Sequence, residues 1–150
     1  MAFESVNVSA LKGELYDLNN KIPSLQKGVI APFEDLSENS WKSSVRISTI
    51  DKISKIAERY EELKGSVSAY LGVVGLIGQY KEKQQAYNGA YAQYKVYKAQ
   101  YEAHCDEEYS FGDYFARWYY GSLMNSQLNY ANRIKSEMES LRSQISGASI

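Results

Sequence analysis

The sequence predicts an all-α fold, an elongated antiparallel helical hairpin or bundle in which two shorter helices pack back on one long central helix. Three observations predict it. Apolar or tyrosine side chains return at alternating steps of three and four through Ile53, Ile56, Tyr60, Leu63, Val67, Tyr70, Val74 and Ile77. The same phase continues as Tyr80, Gln84, Tyr87, Tyr91, Tyr94, Lys98 and Tyr101. A mean step of about 3.5 marks a helix that lays a narrow stripe against another helix. Comparable stripes flank this stretch on both sides, no alternating strand pattern is evident, and the chain carries only two prolines. Read as one helix at about 1.5 Å per residue, 47–101 spans roughly 80 Å, more than a compact domain of this size needs.

The first helix is expected over residues 8–37, with Ser9 as N-cap. Val8, Leu11, Leu15, Leu18, Ile22, Leu25, Val29, Phe33 and Leu36 form its stripe. Pro23 and Pro32 lie inside it. Each removes a backbone donor and crowds the preceding turn, so kinks or a short break are expected, within one bent helix because the stripe keeps its phase. Residues 38–45 then read as a polar turn with Trp41 at its centre. That tryptophan either folds back over the helix pair or stands as a recognition residue at the hairpin tip.

The central helix is expected over 46–105. Gly72, Gly75 and Gly78 recur every third residue, and each costs a helix about 1 kcal/mol relative to alanine. Such a cost suggests close approach of another backbone or a deliberate weak point. Asn88-Gly89 is the strongest internal break signal, but the unbroken tyrosine phase across it favours continuity. The acidic run Asp106-Glu107-Glu108 disfavours the negative C-terminal end of a helix, so the helix should stop near there. Residues 110–113 read as a turn. A last helix over 113–146 carries Phe115, Trp118, Met124, Leu128, Ala131, Ile134, Met138, Leu141 and Ile145, followed by a frayed tail.

Composition narrows the function classes. The chain is 150 residues, a one-domain length, with a net charge of −1 that makes no electrostatic case for nucleic acid or an acidic membrane surface. Fourteen tyrosines stand against four phenylalanines. A tyrosine stripe suits a half-wet interface, because the ring is apolar while the hydroxyl needs water or a partner. One cysteine excludes an internal disulfide framework. The start lacks the basic residues and apolar run of a signal peptide, and the most apolar window, 69–78, is about half the length of a membrane span. The chain is therefore expected in the cytoplasm, leaving it only by a route that reads no cleaved signal.

Chemistry-bearing patterns are sparse. There is no glycine-rich phosphate loop after a strand, no Cys-x-x-Cys and no histidine pair at metal-ligand spacing. His104 and Cys105 are adjacent and face different sides of a helix, so they make neither a metal site nor a nucleophile pair. Glu34 with Asp35 and Glu61 with Glu62 read as solvated faces. No catalytic residue, cofactor or metal is expected.

The order helix, tip with Trp-x-small, helix, with Trp41-Lys42-Ser43 at the tip, resembles the WXG100 superfamily. These are small helical-hairpin proteins of Gram-positive bacteria exported by the type VII secretion system. Ser43 stands where that motif has glycine. The family's export signal, Tyr-x-x-x-Asp/Glu, matches here only at Tyr109–Asp113, away from its usual place, and is given no role. The helices beyond the hairpin look more like the accessory proteins that accompany LXG-type toxins in type VIIb systems. The resemblance implies a small helical protein that pairs with a toxin's long helical region and helps present it for export.

The resulting expectation is a non-enzymatic helical partner of a type VII-like system, secreted or at the cell surface. Its partner is the helical region of a secreted effector or toxin or a related small helical protein, with a homodimer as another occupant of the same stripes. Trp41 and Ser43 form the motif, and Tyr80, Tyr87, Tyr91, Tyr94, Tyr101 and Trp118 are the candidate partner-binding residues. Two readings compete with it: a structural coiled-coil adaptor of another assembly, such as a phage or envelope component, and a membrane-active helical protein that inserts residues 69–78.

Overall fold

The computed structural model describes residues 6–34, 43–105 and 110–148, without the side chains of 30–34 and 43–47. Of the turn expected over 38–45, residues 38–42, with Trp41, lie outside the described residues, as does the side chain of Ser43, while 43–45 are already helical, so the central helix starts three residues before the expected 46. Among the described residues the fold is all-α: α1 spans Val8–Glu34, α2 Ser43–Ala103 and α3 Phe111–Gly147, with no strand. The chain divides into two units. One holds α1 with α2 as far as Gly75, and the other runs Leu76–Ala148 and holds the rest of α2 with α3.

The cap of helix α1 lies two residues before Ser9. Asn7 is the cap: its side-chain oxygen accepts from the Ala10 amide at 3.1 Å and its carbonyl from the Leu11 amide at 3.0 Å. An asparagine there satisfies an orphan amide of the first turn as well as serine would, and it brings Val8 into the helix. The helix runs through both Pro23 and Pro32 without a break. Its inner face is Lys12, Leu15, Asn19, Ile22 and Gln26, all buried or half-buried, at steps of three and four. The buried apolar side chains of this unit are Ile22, Val67 and Val74, with Ile22 wholly enclosed.

Helix α2 continues unbroken through Asn88 and Gly89, and no glycine among the described residues has positive φ. At two of the three glycines of the small-residue window the expected close packing is not found among the described residues: a β-carbon on Gly72 or Gly75 would meet nothing within 4 Å. The cost of these two to the helix is not offset there by contact.

In the second unit α3 packs antiparallel on α2. The Lys83 ammonium pairs with the Glu137 carboxylate, and Tyr101 lies against Gly121. As α2 is followed from Tyr101 back to Lys83, its α3 partner moves forward from Gly121 to Glu137. The buried residues are Ile77 and Ala90 from α2 with Ala131, Ile134 and Ile145 from α3. None is aromatic. Rings stay at the margin of the seam, where a tyrosine can bury its body and keep its hydroxyl in water.

The start of α3 is set by Ser110, two or three residues before the position the turn signal suggested. Ser110 Oγ accepts from the Asp113 amide at 3.2 Å, while Asp113 Oδ2 accepts from the Ser110 amide at 3.2 Å. This reciprocal capping box satisfies two orphan donors at once and puts a carboxylate at the positive end of the helix.

Candidate functional site

Of the six candidate partner-binding residues, two are open to solvent. Trp118 is 64% exposed and Tyr91 37%. Tyr80, Tyr87, Tyr94 and Tyr101 are half-buried. Tyr87, Tyr91 and Tyr94 form a stacked run along one helix, with ring centroids 5.8 and 5.6 Å apart. These are the i,i+4 and i,i+3 contacts that neighbouring rings make on a helix surface. Lys95 Nζ lies 5.0 Å over the Tyr91 ring. Tyr101 is engaged within the chain, between Gly121 and the Arg117 guanidinium 5.7 Å from its ring centre.

The first unit leaves a different set of apolar residues uncovered. Leu11, Leu18 and Leu25 are exposed on α1, seven residues apart. Ile56, Leu63 and Tyr70 are exposed on α2 with the same spacing. Each helix therefore has one face spent on the unit's interior and a second heptad-spaced apolar row facing water. Lys55, Ile56, Arg59, Tyr60 and Leu63 line a shallow apolar groove along α2. Lys55 and Arg59 are tied to Asp51 and Glu62, each at 2.8 Å. That leaves the groove floor to Ile56, Tyr60 and Leu63.

A second exposed patch opens α3. Phe111, Tyr114, Phe115, Trp118 and Tyr119 are all at least half exposed, with Phe111 at 86%. Phe115 and Trp118 touch in a tilted pair, centroids 5.7 Å apart. The spacing 111, 114, 115, 118 is one helical stripe and was readable, but the turn expected at 110–113 cut it in two. Trp118 alone came through as a candidate.

Between the end of α2 and the start of α3 sits a polar tie. His104 Nδ1 and Asp113 Oδ1 are 3.1 Å apart, and the His104 ring stacks on Tyr120 with centroids 5.9 Å apart. Ser110 Oγ donates to the other carboxylate oxygen at 2.6 Å. These bonds, those from Ser110 first and that from His104 second, hold the Asp113 carboxyl below the usual carboxylate range. The Lys83 ammonium does the same to Glu137. Nothing local in the sequence links His104 to Asp113. Ser110-x-x-Asp113, by contrast, is a capping-box pattern that could have been read directly.

The serine in this tie bonds the carboxylate and not the imidazole, so it is not set up as a base-activated nucleophile. Among the described residues no three His, Cys, Asp or Glu side chains come together as a metal site, and no helix is long and apolar enough to cross a membrane. No family model, curated protein or solved structure matches the chain.

Proposed function

We propose that the chain is a non-enzymatic helical partner protein of a type VII-like secretion system, which pairs with the helical region of a secreted effector or toxin. The observation that carries this reading is the pair of uncovered heptad rows, Leu11, Leu18 and Leu25 on α1 with Ile56, Leu63 and Tyr70 on α2. A heptad row is the pattern by which one helix receives another, and a contiguous exposed apolar row marks a surface suited to a partner. The groove along Lys55–Leu63 offers such a helix an apolar floor with charged rims. The secretion context rests on the likeness of Trp41-Lys42-Ser43 and its flanking stripes to WXG100 hairpins.

Co-expression with the helical region of an effector encoded beside it tests the reading. The two chains are expected to co-purify, and Leu18→Glu with Leu63→Glu is expected to abolish capture while leaving helix content unchanged. A stable monomer that ignores every such partner, or capture indifferent to both substitutions, would count against the proposal.

A further inference from the structure

The opening of α3 has a surface that the pairing reading does not use. From Phe111 to Asn132 the helix carries only two charged residues, Asp113 and Arg117, and both are half-buried on the side that faces α2. The opposite, exposed face is therefore uncharged until Arg133. Its first half is aromatic, with Phe111, Tyr114, Phe115, Trp118 and Tyr119. Its second half is small and polar, with Ser122, Asn125, Ser126 and Asn129 exposed along the same line.

Five rings at half exposure or more leave roughly 600 Å² of aromatic surface in water, taking about 200 Å² for a whole ring side chain. That is at the upper limit of the largest patch on a typical monomer, about 300–600 Å². With the small half added, it approaches the ~800 Å² per partner that a stable interface hides.

We infer that this face joins two copies of the chain, α3 against α3, antiparallel about a two-fold axis. Two features select a second copy over another occupant. An antiparallel two-fold contact sets residue i against j and j against i, so the two copies of this face meet with no charged group to desolvate or to oppose. An antiparallel crossing also lays the bulky half of one helix over the small half of the other, and the patch supplies both halves in the right order. An anionic membrane surface would be met by basic residues around the rings, and the face has none before Arg133.

Sedimentation of the full-length chain across a wide concentration series tests this. A dimer that dissociates on dilution is expected. Phe115→Ser with Trp118→Ser should weaken it more than about tenfold, since buried aromatic anchors carry most of the energy of such contacts. Ser126→Glu should do the same by placing a charge on the face, and this exposed position leaves the fold intact if the double variant loses helix content. A chain that stays monomeric overturns the inference, whether or not it binds phosphatidylcholine vesicles, as does a dimer that survives both variants. The outcome is independent of the effector pairing, which is tested at Leu18 and Leu63.

Discussion

Gly121 of α3 faces the ring of Tyr101 of α2 so closely that a β-carbon at position 121 would lie 3.3 Å from Tyr101 Cε2. A side chain at this position has no free room. The Arg117 guanidinium lies over the same ring. Tyr101 can therefore yield little, and the glycine sets how near the two helices come.

Gly121→Leu is accordingly expected to destabilise the chain by about 1–3 kcal/mol, the usual cost of overpacking a filled contact. Urea unfolding measures it. Tyr101→Ala in the same chain should remove most of the added penalty, because the obstruction is the ring.

The opposite outcome is expected at Gly72 and Gly89. A methyl group there meets nothing within 4 Å, and both lie inside α2 with helical backbone. Each change to alanine should raise stability by about 1 kcal/mol through helix propensity and a less flexible unfolded chain. A loss on either substitution would show that the glycine serves a contact made with another molecule.

Asn19 lies on the inner face of α1, and its side-chain oxygen is buried without a hydrogen-bond partner among the described residues. An unsatisfied buried acceptor costs about 1–3 kcal/mol. Asn19→Leu, of similar size, is expected to recover much of that in thermal unfolding.

Asp113 gives a pH dependence with a definite sign. Its folded-state carboxyl titrates below the ordinary value of 3.8, chiefly through the Ser110 hydrogen bonds. Its contribution to stability is therefore fully present above that value and is lost as the pH falls through the lower folded value. Carboxyl NMR should show Ser110→Ala moving the titration back up toward 3.8. Asp113→Asn should remove this part of the acid sensitivity, and an unchanged acid profile would sink the assignment.

The pairing of Lys83 with Glu137 offers a test of register. Lys83→Glu should lower the melting temperature by opposing two carboxylates across the seam. Adding Glu137→Lys should restore it. Rescue by a lysine one helical turn away instead would place α3 in a different register.

The helices were legible because their cause is local. Threes and fours through Leu15 and Ile22, Val67 and Val74, and Ile134 and Ile145 name a buried face whatever lies against it. Caps were less legible, since Asn7 and Ser9 are both good candidates and only the backbone shows which amide is served. Ser110 was written plainly as Ser-x-x-Asp113 but was hidden behind a turn reading. The glycines misled at Gly72 and Gly75, because a glycine in a helix declares a cost without naming what, if anything, offsets it.

By itself the sequence determined the class, all-α, because helix periodicity is a property of residues a few positions apart; of the stripes it named, only part turns inward, Ile22, Val67 and Ile134 but not Leu18, Leu63 or Trp118. Only the tertiary structure decided which tyrosines are already occupied, as Tyr101 is by Gly121 and Arg117, and which rings still face water, as Trp118 does. The reason is that periodicity fixes the direction of a side chain on its own helix and carries no information about the distant residue that meets it. His104 meeting Asp113, nine residues further on, is the same lesson in polar form.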